Sequence, residues 1–300
     1  MIKAVKIKDV INRESLGEKQ RVIFNTIVGE NEEGQPEIAQ VEANIHYYER
    51  GEGSNVILML HGPGQSLYTY RNNFDALAKE GYRVLIPDLL GCGYSDCPDI
   101  DYTVEDMSLS LQSFLANLGI LSVNIVAFGQ SCAYAADIAV NNIDLVNSLT
   151  FIHPGRFSDT TFPKAKSLLG LTGNMAAANF AKENFTLAYL EQCYFDKTLI
   201  TEKMVQEFRK PFEEPLIRAC LRNMVINYND EEVTEKLVSY NKPILMVRSE
   251  DDMVSNEADY TRYLHVAQMG YTASFRNCGY FPHEEKYEMF NNSLLEFLNY

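Results

Sequence analysis

A short apolar stretch leads directly into a turn of small residues around Ser131, and this feature constrains the fold more than any other. Residues 123–128 read as a strand, and residues 132–141 have the spacing of a helix. The turn reads Gly-Gln-Ser-Cys-Ala, with Gly129 and Ala133 each two residues from the serine. A sharp strand-to-helix turn crowds its neighbours, so these positions must be small. The pattern predicts a nucleophile elbow at Ser131, although a serine before a helix can also serve only as its cap.

Strands and helices alternate on both sides of this turn. Further strands are predicted over residues 56–60, 83–87, 149–153, 244–247 and 272–277, and further helices around residues 74–78 and over 104–118, 257–269 and 285–298. This alternation predicts βαβ units and a mostly parallel, twisted sheet with helices on both faces, which is an α/β fold. Residues 21–28 and 40–48 precede it and predict an antiparallel hairpin at the sheet edge.

Residues 154–238 interrupt the alternation. They contain several helical patterns rich in Ala, Leu, Phe and Met, and no convincing strand. We therefore expect one α/β core domain formed by residues 1–153 and 239–300, with residues 154–238 inserted as a helical cap. A chain of 300 residues is long enough for a large domain that carries such an insertion.

The charge and the cysteines narrow the possible partners. The chain has 26 basic and 41 acidic residues, a formal net charge of −15 that repels nucleic acid and anionic membranes. Six scattered cysteines form no C-x-x-C pair, so we expect neither a metal site nor a disulfide framework, and no cofactor is implied. The first six residues lack the apolar core of a signal peptide, and together with reduced thiols this predicts a cytoplasmic protein.

Several motifs, taken in order, resemble the α/β-hydrolase superfamily. Residues 45–53 look like its second strand and turn, and His-Gly-Pro-Gly at 61–64 is similar to its HGxG loop. Residues 87–95 resemble its D-x-x-G-x-G-x-S loop, and the likeness extends over residues 44–153 and 242–298. The insertion resembles in placement and size the cap of epoxide hydrolases, haloalkane dehalogenases and carbon–carbon bond hydrolases.

The resemblance implies a catalytic acid at Asp252. The stretch that ends Ser249-Glu250-Asp251-Asp252 is similar to the strand that ends G-x-x-D in the family. Such an acid orients a histidine and stabilises the imidazolium that forms during attack. The alternative is that these three acids are solvated loop residues.

The position of the catalytic histidine is occupied by Tyr280. The last strand of the family ends in Gly-His, and here the segment reads Cys-Gly-Tyr-Phe-Pro-His-Glu-Glu over residues 278–285. A phenol with an ordinary pKa of about 10 is a poor general base at neutral pH. It can still donate a hydrogen bond and fill the space of an imidazole.

The oxyanion side of the predicted site also departs from the family. The N–H group of Cys132 is one expected donor, because it lies at the N-terminus of the helix next to Gln130 and Ser131. The second donor is usually the residue after His-Gly, which here is Pro63 and has no N–H. Gly64, which follows Gly62 and Pro63 in the loop, is the nearest substitute.

Two other histidines are candidates for the missing base. His283 lies three residues past Tyr280 and is expected at the start of the final helix. His153 ends the strand before the insertion, at the edge of the sheet where ligands bind in open α/β folds. Either side chain can instead be structural, as we expect for His46 and His61, whereas His265 is expected to be solvated in the middle of a helix.

Two functions remain open from the sequence. The first is a serine hydrolase that acts on a small acyl or ester substrate with a degenerate or rerouted triad. The second is a ligand-binding or regulatory protein that retains the pocket and has lost the chemistry. Both imply a small-molecule partner and neither implies an oligomeric state.

Overall fold

The computed structural model describes residues 17–31, 33–156 and 177–300, and it contains an eight-stranded sheet. The strands are β1 (Glu18–Glu30), β2 (Pro36–Arg50), β3 (Val56–Leu60), β4 (Arg83–Pro87), β5 (Val123–Phe128), β6 (Val146–Ile152), β7 (Pro243–Ser249) and β8 (Met269–Phe275). Their order in the sheet is β1-β2-β4-β3-β5-β6-β7-β8. The pairs β1–β2 and β2–β4 are antiparallel and all others are parallel, as the sequence predicts.

Two apolar layers cover the faces of the sheet. The helices outside the insertion are α1 (Phe74–Lys79), α2 (Val104–Asn117), α3 (Ser131–Asn141), α8 (Glu257–Val266), α9 (Pro282–Glu285) and α10 (Tyr287–Leu298). Along β3, Leu58 and Leu60 belong to the layer that contains residues of α2 and α3, whereas Ile57 and Met59 belong to the layer of α1 and α10. Burial on both faces explains why the strand is continuously apolar.

The described residues between β6 and β7 are helical, as predicted for residues 154–238. They contain α4 (Glu183–Cys193), α5 (Glu202–Arg209), α6 (Pro215–Ile226) and α7 (Glu231–Lys236), joined by short 3₁₀ turns. Residues 157–176 of the predicted cap lie outside the described residues, as do the N-terminal residues 1–16. The division into core and cap domains therefore stays a prediction.

Element boundaries differ from the sequence expectations mainly at the chain's ends. β1 and β2 are longer than predicted and pair from Glu18 with Tyr47 to Glu30 with Pro36. The helix predicted to reach Met269 ends at Val266, and Met269 begins β8, because β8 is an edge strand whose residues are largely exposed and carry little apolar pattern. The final helix is split at Lys286, whose φ of −120° and ψ of 40° are not helical.

Candidate active site

The elbow places Ser131 at the first turn of α3. Gly129 has a φ of +61°, a left-handed conformation that glycine adopts without penalty. Its N–H donates to the carbonyl of Ile152 at 2.9 Å, which ties the turn to β6. A methyl group at Gly129 would lie 3.2 Å from the hydroxyl of Tyr280, so the tyrosine closes over the turn. This geometry explains the small-residue pattern of the motif.

The hydroxyl of Ser131 is fully buried and donates to the main-chain carbonyl of His61. The imidazole of His61 holds the surrounding loops, because Nδ1 donates to the carbonyl of Gly62 at 2.8 Å and Nε2 accepts from the N–H of Leu89 at 3.0 Å. Ser131 therefore rests against the His-Gly loop, and attack on a substrate requires its hydroxyl to turn away from that carbonyl.

Two N–H groups near the elbow, one of them that of the expected oxyanion donor Cys132, are engaged within their own turns. The N–H of Cys132 donates to the carbonyl of Gly129 at 3.2 Å, and the N–H of Gly62 donates to Oε1 of Gln65 at 3.0 Å. Gly64 has a φ of +74°, and a methyl group on it would lie 2.9 Å from the ring of Phe212. The loop is thus folded under the helical insertion, with Pro63 at its centre.

Gln130 lies between Gly129 and Ser131 and is 5% exposed. Within the described part of the chain, its buried Oε1 atom has no hydrogen-bond partner. A buried amide oxygen without a partner is costly, and functional sites are where such groups occur. Gln130 therefore remains a candidate for a polar contact with a bound molecule.

Tyr280 lies beside the elbow. Its ring packs on Phe128 at a centroid distance of 4.7 Å and on His153 at 5.5 Å. Burial raises the pKa of the phenol well above its ordinary value, and the charge of Asp252 raises the pKa further. Tyr280 is therefore a protonated hydroxyl at neutral pH, which can donate a hydrogen bond but cannot remove a proton.

Asp252 pairs with His153. The two side chains are 3% and 2% exposed, and Nδ1 of His153 lies 3.2 Å from a carboxylate oxygen of Asp252. The carboxylate also accepts from the N–H groups of Val254 and Ser255, at 2.8 and 3.1 Å. Asp252 is therefore a buried carboxylate that accepts several hydrogen bonds. It differs from the solvated loop acid that the sequence analysis gave as the alternative.

The surroundings of His153 fix the tautomer of its ring. Nε2 accepts the N–H of Ser249 at 3.2 Å, so Nδ1 carries the proton and points at Asp252 and at Oγ of Ser255. Burial lowers the pKa of His153, and Arg248 lowers it further, whereas the charge of Asp252 acts in the opposite direction. The imidazole is therefore neutral at neutral pH.

His283 faces a different part of the core. Nε2 of its fully buried ring lies 2.9 Å from Oγ1 of Thr69, and the ring packs on Tyr70 and Phe128. Burial, and then the charge of Arg71, lowers the pKa of His283 well below its ordinary value. His153 contacts both Asp252 and Tyr280, and Tyr280 lies next to Gly129 of the elbow, whereas the hydrogen bond of His283 is directed at Thr69.

Sequence reasoning missed Ser249 and Ser255 as partners of His153. Ser249 ends β7 and Ser255 follows it, so the two serines lie on either side of the predicted acid. This position in the sequence was the only feature that could have indicated them. Together with Arg248, Tyr260 and nearby acids they line a cavity of about 360 Å³ beside the His153–Asp252 pair.

The described residues include neither a membrane-spanning helix nor a cluster of metal ligands. They contain no helix long and apolar enough to cross a bilayer. Across the same part of the chain, no group of three or more His, Cys, Asp or Glu side chains is arranged to hold a metal ion.

One named relative matches most of the chain, and another matches about a third of it. A 2-hydroxy-6-oxononadienedioate/2-hydroxy-6-oxononatrienedioate hydrolase of Paraburkholderia xenovorans is 25% identical over 272 residues, which cover 86% of this chain and 91% of that protein. A haloalkane dehalogenase of Agrobacterium fabrum is 34% identical over 110 residues, covering 37% and 36% of the two chains.

Solved structures and a family model agree with these relatives. An epoxide hydrolase solved without ligand superimposes with a TM-score of 0.75 at 20% identity, over 93% of this chain and 99% of its own, which shows a shared fold. The family model described as the alpha/beta hydrolase fold matches residues 55–287. The chain therefore belongs to the α/β-hydrolase fold family.

Proposed function

We propose that this protein is a serine hydrolase of a small acyl or ester-type substrate, with Ser131 as nucleophile and the His153–Asp252 pair as its base and acid. The observation that carries the proposal is that pair: a buried imidazole whose Nδ1–H points at a buried carboxylate. This is the arrangement by which an acid holds a histidine in the tautomer that accepts a proton at Nε2. In this rerouted triad, the base comes from the end of β6 and not from the loop after β8.

Catalysis by this triad requires two hydrogen bonds to change. Ser131 must release the carbonyl of His61, and Nε2 of His153 must release the N–H of Ser249. Catalytic hydrogen bonds are often long or misaligned before substrate binds and shorten in the complex, so this resting arrangement is compatible with activity. Nε2 would then take the proton of Ser131 as its oxygen attacks the substrate carbonyl, and return that proton to the leaving group.

Tyr280 and Cys132 would stabilise the oxyanion that results from attack. Cys132 contributes the N–H at the start of α3, once a substrate oxygen replaces the carbonyl of Gly129. The protonated hydroxyl of Tyr280 lies next to the elbow and offers a second donor where Pro63 offers none. Removing one such donor typically costs about 10²–10³ in rate.

The relatives support the reaction class. The protein from Paraburkholderia xenovorans and the protein from Agrobacterium fabrum are named a hydrolase and a dehalogenase, and both names describe reactions on small molecules. We extend this to a substrate held between a core of residues 1–153 and 239–300 and a helical cap of residues 154–238. A cytoplasmic location fits the same proposal.

One observation favours the second candidate, a ligand-binding protein without catalysis. Tyr280 fills the place beside Ser131 where the family resemblance puts the base, and its pKa is raised. In that case Ser131, Gln130 and Tyr280 would contact a ligand and His153 would be structural. The Tyr280→His substitution separates the two candidates. If the wild type has no base, the new histidine supplies one and activity appears only in the variant. If His153 is the base, the wild type is already active.

The test is hydrolysis of short-chain 4-nitrophenyl esters by the purified protein and by Ser131→Ala, His153→Asn and Tyr280→His. Asparagine tolerates the left-handed backbone of His153, which limits damage to the fold. We expect turnover by the wild type and its loss in Ser131→Ala and His153→Asn. Turnover that appears only in Tyr280→His would replace the hydrolase proposal with the binding protein.

A further inference from the structure

Two thiols meet where the helical insertion lies on the core. Cys220 is in α6, is 5% exposed, and a methyl group built on Gly91 would lie 2.6 Å from its Cβ. Cys97 is half-buried in the loop that follows β4. The carbonyl of Asp96, next to Cys97, accepts the N–H of Gly91 at 2.9 Å, so Cys97 lies beside the residue on which Cys220 packs. The two thiols are close enough for each to shift the pKa of the other.

Tyr102 completes this cluster. Its hydroxyl lies 3.0 Å from Sγ of Cys220 and donates to the carbonyl of Pro98 at 2.8 Å, and Pro98 is the residue after Cys97. The hydrogen bonds from Cys97 and from Tyr102 lower the pKa of Cys220, against the opposing effect of burial. When Cys220 loses its proton, the hydroxyl of Tyr102 can turn and donate to the thiolate.

Cys97 has the complementary properties. The hydrogen bond to Cys220, followed by burial, raises the pKa of Cys97. A thiol that is held protonated by its neighbour reacts slowly with an oxidant, whereas its partner reacts first. Once the charge on Cys220 has been removed by reaction, the main cause that keeps Cys97 protonated is gone.

We propose that Cys97 and Cys220 form a reversible disulfide when hydrogen peroxide oxidises the protein, and that this bond fastens α6 to the loop after β4. The Cys220 thiolate attacks the peroxide oxygen, which gives a sulfenic acid and releases water. The Cys97 thiolate then attacks that sulfur, forms the S–S bond and releases the oxygen as a second water. Two thiols and one peroxide become one disulfide and two waters, and a dithiol reductant reverses the change.

The bond would act on the region that surrounds Ser131. α6 also lies over the His-Gly loop, because a methyl group on Gly64 would be 3.3 Å from the side chain of Leu221. A covalent link at Cys220 therefore holds this helix against two loops of the core. Hydrogen exchange of the amides in Pro215–Ile226 should be slower after oxidation, whether or not the protein is an enzyme.

The experiment is peroxide treatment of the native protein, alkylation of free thiols, and digestion with trypsin and endoproteinase Asp-N. Cleavage before Asp96 and Asp99 separates Cys97 from Cys92, and cleavage after Arg218 and Arg222 isolates Cys220. We expect a Cys97–Cys220 peptide pair at least about tenfold more abundant than any other pair, and its loss on reduction. A dominant pair that involves another cysteine, or no pair at all in the folded protein, would overturn the proposal.

Three variants assign the two roles. Cys97→Ser should retain a sulfenic acid on Cys220 that dimedone traps, because no thiol remains to resolve it. Cys220→Ser should not form the disulfide. Dimedone labelling of Cys97 in this variant should be weaker than labelling of Cys220 in Cys97→Ser. The buried Cys278 is the matched control, and Cys278→Ala should form the disulfide as the wild type does. Dimedone labelling of Cys97 in preference to Cys220 would refute the assigned order.

Discussion

His153 adopts a backbone conformation that few residues other than glycine can adopt. Its φ is +45°, and only Tyr102 and Asn277 share a positive φ among the non-glycine residues of the described part of the chain. Such conformations cost of order 1–3 kcal/mol and persist at sites where the geometry has a use. At His153 the conformation turns the ring toward Asp252 at the end of β7, and this is the use that we assign to it.

The pH dependence of Ser131 reactivity tests that assignment at the residue scale. A base must be neutral, so labelling of Ser131 should be constant at neutral pH and fall only below pH 6.5, because the pKa of His153 is lowered. The charge of Asp252 raises this pKa, so Asp252→Asn should move the fall to still lower pH and slow labelling by about 10²–10⁴. The measurement is the labelling rate between pH 5 and pH 8.

Asp251→Asn is the matched control for this prediction. Asp251 is exposed and accepts the N–H of Asn277, away from His153. Its neutralisation should leave both the labelling rate and its pH profile close to those of the wild type. Equal effects of the two substitutions would mean that general surface charge, and not the pair with His153, governs the reactivity.

At the scale of elements, two adjacent carboxylates join the insertion to the loop that carries Tyr280. Glu284 is an ion-pair partner of the buried Arg71 at 2.5 Å and accepts from the hydroxyl of Tyr194 at 2.6 Å. Glu285 accepts three main-chain N–H groups, from Gly279, Phe195 and Asp196, at 2.9, 3.1 and 2.8 Å. The end of α4 is therefore fixed to the residues that precede α9.

Replacement of Glu285 by glutamine should loosen this junction. The amide has one acceptor oxygen where the carboxylate has two, so at least one main-chain N–H group loses its partner. We expect a loss of about 1–3 kcal/mol in the free energy of unfolding, together with faster hydrogen exchange around residues 193–196. Denaturant titration and exchange measured by mass spectrometry give the two values.

Glu288→Gln provides the comparison. Glu288 lies on the exposed face of α10. Its carboxylate accepts a hydrogen bond from the hydroxyl of the neighbouring Tyr287. Its substitution should change the stability by less than about 0.5 kcal/mol. If both variants lost the same stability, the three main-chain contacts of Glu285 would not be the reason.

The elements were the part of the fold that the sequence predicted well. The continuous apolar run of β3 results from burial on both faces of the strand, and the small residues around Ser131 result from a crowded turn. Both causes are local, so both patterns are visible in the sequence. The ends of β8 and of the last helix respond to pairing and to packing that no local pattern records, and these boundaries differed from expectation. The pairing of Asp252 depends on side-chain directions across β6 and β7, so the sequence left three histidine or tyrosine partners open for it.

At the scale of the whole molecule, buried neutral histidines link stability to pH. Burial, aided by Arg71, lowers the pKa of His283 in the folded state well below that in the unfolded chain. Below about pH 6.5 the unfolded chain therefore binds a proton that the folded protein does not, and stability decreases as the pH falls. The slope can reach about 1.4 kcal/mol per pH unit for each such histidine, and the lowered pKa of His153 acts in the same direction.

His283→Gln should reduce this slope. Glutamine can still donate to Thr69, and it has no charge to gain in acid. We expect the difference in unfolding free energy between pH 7 and pH 5 to shrink relative to the wild type, as measured by urea titration. The exposed His265 gives the control, since His265→Gln should retain the wild-type slope. An unchanged slope in His283→Gln would show that this imidazole is not the group that titrates.

Intact-mass detection of a fluorophosphonate adduct shows directly whether His153 activates Ser131. We expect one adduct on the wild type, none on Ser131→Ala, and labelling at least about 100-fold slower on a folded His153→Asn. Full labelling of His153→Asn would mean that another group is the base, and His283 would be substituted next. A wild type that fails to label while Tyr280→His labels would mean that His153 does not act as a base and that the triad is disarmed at Tyr280.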